Sequence, residues 1–201
     1  KFSARKYAGN FSVEELSEAC DYCHIRGVKV YVTINTLYKD SELTEFIKFV
    51  KELYMIGVDA LIVQDAGAAN LIKRSFPDMK INASTQLTAN TAEDVLFLQK
   101  NGFDKVILSR ELTLEEIKNI RKSTDVDIEC FVHGALCVSF SGQCIMSSIL
   151  GGRSGNRGCC AQPCRLPYEL YENRDKVCDG YLMSPKDVET LEILPQLIEA
   201  G

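Results

Sequence analysis

HIRGVKVYVTIN (24–35), MIGVDALIVQD (55–65), SFPDMKINASTQ (75–86) and KNGFDKVILSRE (100–111) repeat one pattern: a helix end, a Gly or Pro break, then a β-branched run finishing in polar residues. TDVDIECFVHG (124–134) begins a fifth copy. The helices between them have legible starts. Ser12 caps the first, with Glu14 and Glu15 in its opening turn. Ser41 opens the second, whose apolar residues Leu43, Phe46, Ile47, Val50, Leu53 and Tyr54 fall at three- and four-residue steps. Thr91 caps AEDVLFLQKNG (92–102), and Thr113 caps LEEIKNIRKS (114–123), where Glu116 completes a capping box.

Strands apolar along their length, alternating with helices, specify a parallel sheet covered by helices. Polar residues recur at the C-terminal end of every strand: Thr33 and Asn35; Gln64 and Asp65; Ser84, Thr85 and Gln86; Ser109, Arg110 and Glu111; His133. That recurrence favours an α/β fold of the (β/α) TIM-type barrel kind, in which strand ends converge on one mouth. No GxGxxG follows the first strand, so a dinucleotide-binding open sheet has little support. Phe2 to Arg5 read as the tail of a strand. Gly201 stands where Gly27, Gly57 and Gly102 stand, just before a strand. The barrel is therefore expected to be incomplete at both ends. Residues 1–133 are assigned to it, 134–180 to a cysteine-rich insertion after a barrel strand, and 181–201 to a return as a helix from about Val188.

Composition bounds the function. The 201 residues are 46% hydrophobic, enough for one sizeable core. A net charge of −5 argues against nucleic-acid binding over the whole surface but permits a local basic site. No apolar run approaches the ~18 residues that span a bilayer, so no membrane partner is expected. Nine cysteines, an odd number, are concentrated in one segment, and KFSARKYAGNF lacks the apolar run of a signal peptide. Metal ligation in a reducing, cytoplasmic compartment is the expectation.

That segment, Glu129 to Arg165, carries no acid between Glu129 and Glu169. Cys137, Cys144, Cys160 and Cys164 are spaced C-x6-C-x15-C-x3-C, with Cys159 adjacent. Four thiolates so gathered suit a [4Fe–4S] cluster or tetrahedral zinc. Zinc sites usually show two short knuckles, so iron–sulfur is preferred, with merely packed thiols the plain alternative. Cys20 and Cys23 sit mid-helix, where one packed and one partly exposed thiol is expected rather than a redox pair. Cys130 is expected in the core, and Cys178 is a spare ligand. His133, with Glu129 on the same strand, is the candidate general acid/base. GGRSGNRG (151–158) lacks the Lys-Ser/Thr ending of a phosphate-cradling loop. Its Arg153, Asn156 and Arg157, together with Arg165, Gln86 and Arg110, still suit a carboxylate, a phosphate or a polar substrate.

HGALCVSFSGQCIMSS (133–148) followed by GGRSGNRGCCAQPCR (151–165) closely resembles the hallmark of the peptidase U32 family, the collagenase-like proteases. FSARKYAGNF, VYVTINTL, NASTQLT and YLMSPKD resemble that family too, so the likeness covers essentially the whole chain. It implies a (β/α)-barrel catalytic domain preceded by a strand and helix that this chain lacks. Members are described as peptidases acting on collagen or gelatin. Others are prephenate-dependent RNA hydroxylation enzymes acting on a pyrimidine of transfer or ribosomal RNA, or oxygen-independent hydroxylases of ubiquinone precursors. In the oxygen-independent group four cysteines hold a [4Fe–4S] cluster, and the pattern maps onto Cys137, Cys144, Cys160 and Cys164. Cys159 and Cys178 are competing positions. Residue chemistry ranks hydroxylation first. There is no HExxH and no GxSxG elbow, and Cys137 with His133 is the sole dyad on offer to a peptidase. A third reading is a non-enzymatic RNA- or protein-binding scaffold with a structural cluster.

Overall fold

The computed structural model of the protein describes residues 2–201. Five strands, β1 (Tyr31–Ile34), β2 (Ala60–Val63), β3 (Lys80–Ala83), β4 (Lys105–Ile107) and β5 (Asp127–Glu129), form one sheet in the order of the chain. Every pairing is parallel. The connecting helices are α2 (Leu43–Met55), α3 (Ala66–Ser75), α4 (Ala92–Lys100) and α5 (Leu114–Ser123). Because strand order never reverses, right-handed crossovers put all four on one face of the sheet. The sheet is singly wound, with β1 and β5 as its edges.

Helix starts follow local chemistry. α1 (Val13–His24) is closed by a reciprocal box in which the Glu15 N–H donates to Ser12 Oγ and the Ser12 N–H donates to Glu15. Thr91 with Asp94 and Thr113 with Glu116 close α4 and α5 in the same way. α2 departs from expectation. A 3-10 turn at Asp40–Glu42 precedes it, and the Lys39 N–H bonds Glu42, so Ser41 lies inside the turn and is not the cap. Phe46, Val50 and Leu53 of α2 are fully buried, whereas Tyr54 lies near the surface against Phe76.

The strands alternate; they are not apolar throughout. Ile34, Leu61, Val63, Ile81, Ala83, Val106 and Leu108 enter the core under the helices. Their neighbours in sequence face the other way, and register lines them up in rows. One row is Thr33, Ile62, Asn82, Lys105, Asp127. The next, towards the C-terminal ends, runs Asn35, Gln64, Ser84, Ile107, Glu129, by extension of the same registers. The inner face is therefore largely polar.

Gly-x-Asp precedes two of the strands and does the same work in both. The Val30 N–H donates to Asp59 Oδ2 (2.7 Å) and the Ile81 N–H to Asp104 Oδ2 (2.9 Å). Each aspartate returns its own N–H to the same residue's carbonyl. His24 and Lys73 brace the two carboxylates at 2.8 and 2.9 Å.

Beyond β5 the fifth repeat breaks. His133 does not end that strand; it forms β6 (His133–Gly134), paired antiparallel with β9 (Val188–Glu189). Cys130 lies just past β5 and is half-buried against the core. A helix from Val188 is likewise corrected. α7 spans Leu194–Glu199, with Pro195 in its first turn, where a missing N–H costs nothing. Between come α6 (Met146–Gly151) and a hairpin of β7 (Tyr168–Glu172) and β8 (Asp175–Gly180). That hairpin was invisible to turn signals. Asn173 and Arg174 both take positive φ, as a two-residue hairpin turn demands, without the usual glycine.

Removing the Asp104 carboxylate (Asp104→Ala) strands the Ile81 N–H, and urea denaturation should show a loss of about 1–3 kcal/mol. Burial pushes the Asp59 carboxyl up, but the Val30 N–H and His24 outweigh it and hold it below the ordinary range. With the folded pKa below the unfolded one, its stabilisation is present above pH ~4 and is lost as pH falls through the folded value. The difference in urea midpoint between the protein and Asp59→Asn should therefore shrink on acidification from pH 5 to pH 3.

Candidate functional site

The cysteine-rich segment is strapped across the C-terminal ends of the strands by backbone contacts. Gly142, at φ +77°, presses on the loop after β3 so closely that a Cβ there would lie 2.2 Å from the Gln86 carbonyl oxygen. The buried Ser141 beside it donates through its N–H to Glu111 (3.0 Å), and its carbonyl accepts the Thr88 hydroxyl (2.6 Å). Gln143 donates to the same Thr88 oxygen. Further along, a Cβ on Gly158 would meet the Ser3 carbonyl at 2.2 Å. The Lys6 N–H bonds the Gly158 carbonyl, and the Leu37 N–H bonds that of Asn156.

Two arginines expected to bind anions hold the strap instead. Arg157 donates to the Leu37 carbonyl (2.8 Å) and to Glu42 (2.6 Å). That bond holds the Glu42 carboxyl below its ordinary range and raises the guanidinium. Arg165 donates to the carbonyls of Leu136 and Pro185 and to the Ser184 hydroxyl, tying the strap to the return segment. Arg153 is exposed, donates to the Cys159 carbonyl and stacks over Tyr7 at 4.9 Å.

Gln86 and Arg110 are placed differently. Gln86 Oε1 is buried without a partner at the mouth. Arg110 donates to the Ala135 carbonyl and lies over Phe131, yet its buried Nε has none. Four residues that were named only as strand ends, or not at all, share this state, Asn90 through its Oδ1 among them. Gln64 (5% exposed), Asn82 (3%) and Ser109 (5%) each carry a buried polar atom without a hydrogen bond. Asp65, by contrast, is structural, capping α3 and accepting the Tyr38 N–H. Inward-facing polar residues inside β-branched runs were the available signal for Asn82. Such residues are rare unless something pairs with them.

His133 and Cys137 are both exposed, and neither donates to the other. Glu129 lies in β5, half-exposed, with Lys105 Nζ at 3.5 Å. All nine cysteines are free; Cys20 is buried and Cys23 partly exposed, as their place in α1 implied. Cys144, Cys159 and Cys164 are half-buried, and Cys137, Cys160 and Cys178 exposed. Cys160 Cβ and the Cys144 carbonyl both lie within 4 Å of where a Cβ on Gly155 would stand, and Cys160 Sγ accepts the Gln162 N–H. As thiolate donors the four named cysteines suit an iron–sulfur cluster or zinc. They are not drawn together: among the described residues no three His, Cys, Asp or Glu side chains are grouped to hold a metal. No helix among the described residues is long and apolar enough to cross a membrane.

A parallel, singly wound sheet with a polar mouth under a cysteine strap is the frame of a (β/α) enzyme domain. The chain belongs to peptidase family U32, whose model matches residues 1–201. It is 43% identical over its whole length to the 23S rRNA 5-hydroxycytidine C2501 synthase of Escherichia coli, covering 30% of that protein. It is 32% identical, again over its whole length, to tRNA hydroxylation protein P1 of Bacillus subtilis, covering 50% of it. Other relatives are named as a protease and a collagenase. The chain thus spans about half or less of the length of these relatives. Among solved structures, that of a U32 peptidase matches 66% of the chain and 57% of its own, with a TM-score of 0.57 and 17% identity. That likeness shows the fold.

Gly142→Ala should undo the strap. The left-handed backbone alone costs about 1–2 kcal/mol for a residue with a Cβ, before any clash with Gln86. Limited proteolysis should cut within residues 134–165 severalfold faster while the sheet remains resistant. Cleavage at the parent rate would show that docking does not depend on this contact.

Proposed function

We propose that this domain takes part in hydroxylating a pyrimidine of ribosomal or transfer RNA. Whole-chain identity of 43% to an rRNA 5-hydroxycytidine synthase carries the reading, and a tRNA hydroxylation protein lies close behind. Geometry supports it. Unpartnered amide and hydroxyl groups at the mouth suit a neutral, hydrogen-bonding substrate. A peptidase would need an activated nucleophile, and the one dyad on offer, Cys137 with His133, is exposed and unlinked. Sequential parallel strands further support reading the sheet as part of a (β/α) barrel.

Cys137, Cys144, Cys160 and Cys164 are the proposed holders of a [4Fe–4S] cluster, supported by their chemistry and by the segment's place over the mouth. Bound there, such a cluster would supply electron transfer. The protein's own residues bind and orient the substrate. Gln86 and Arg110, with an unpartnered atom each, are the proposed contacts for RNA or for a prephenate-type dicarboxylate co-substrate. Glu129 and His133 are the proposed proton-moving side chains.

Nucleoside mass spectrometry of RNA from a deletion strain should show one hydroxylated cytidine or uridine lost, and the intact gene should restore it. An unchanged profile, with gelatin cleavage by the purified protein, would favour the peptidase. Anaerobically purified protein should carry iron and sulfide near four each, falling at least tenfold in Cys144→Ala. Stoichiometric zinc in their place would overturn the cluster.

A further inference from the structure

The inner face of the sheet carries a cost that nothing within the described residues offsets. A buried polar atom without a partner is destabilising, and native proteins keep few. Here Gln64 Oε1, Asn82 Nδ2, Gln86 Oε1 and Ser109 Oγ are all in that state. Two of them are neighbours: extending the register sets Gln64 beside Ser84, and Asn82 lies one row below on the same strand as Ser84. Lys105, in the same row as Asn82, is matched by Glu129. The groups on offer are neutral amides and a hydroxyl, each supplying one donor or acceptor.

Resting on the pyrimidine reading above, we propose that Gln64 and Asn82 form the subsite that reads the target base, by hydrogen bonds to its Watson–Crick edge. A pyrimidine edge presents both donors and acceptors in one plane, and primary amides answer either kind. Enzymes that act on a base take it out of the stack and read that edge. A site built from buried hydrogen-bonding groups discriminates strongly, because a ligand lacking the matching atoms leaves those groups unpaired. The strap closes the mouth above this row, with Gly142 against Gln86, and so helps keep water from competing for the same groups.

The test separates reading from folding. Gln64→Leu and Asn82→Leu delete an unpaired buried group, so both variants should melt at or above the parent temperature. Each should also bind cytidine or uridine, measured by titration calorimetry with the free nucleosides, at least tenfold more weakly. Adenosine, the control, should bind weakly to all three proteins. Parent protein that binds neither pyrimidine nucleoside, or variants that bind them as the parent does, would overturn the subsite. Expressing the variants in the deletion strain distinguishes the two levels. If the parent restores the RNA hydroxylation and both variants restore it fully, the subsite fails and the function stands. If deletion leaves RNA unchanged while the purified protein binds pyrimidines through these amides, the subsite stands and the function fails.

Discussion

Side chains on a strand alternate between two faces, and in this sheet that alternation separates stability from function. Ile34, Leu61, Val63, Ile81, Ala83, Val106 and Leu108 go under the helices and make the core. The residues between them, Asn35, Gln64, Asn82, Ser84 and Lys105, are thereby forced onto the opposite face. A one-residue slip in register would exchange the two sets and bury amides under the helices. The paired aspartates help hold that register. Asp59 and Asp104 each fasten the start of a neighbouring strand by two hydrogen bonds, so the strands enter the sheet in step.

What lies over the strand ends depends on that frame. The cysteine strap makes few apolar contacts with the sheet. It is held by close backbone approaches at Gly142 and Gly158 and by Arg157 reaching across to Glu42. Along this strap the four thiols stay free and are not drawn together.

Arginine illustrates how one residue type divides by context. In sequence Arg153, Arg157 and Arg165 look equivalent, an acid-free basic group. In three dimensions Arg157 and Arg165 are fasteners whose forks are occupied by carbonyls, a hydroxyl and a carboxylate. Arg110, which sequence reading placed at a strand end, keeps an unpaired Nε beside the mouth. A guanidinium's availability is set by its neighbours, and distant neighbours such as Leu37 and Arg157 are not legible from spacing.

Local signals alone were enough for the parallel α/β class, the capping residues Ser12, Thr91 and Thr113, the packed Cys20, and the family carried by the cysteine stretch. Each depends on residues within a few positions of one another, or on a long uninterrupted match. Tertiary structure alone decided that the inner face is polar, that His133 belongs to a ribbon with Glu189, and that Arg157 and Arg165 are structural. It also singled out Gln64, Asn82 and Ser109, whose significance is the absence of a partner. Hydrogen-bond satisfaction is a property of the whole neighbourhood, assembled from strands tens of residues apart, and no local pattern encodes it.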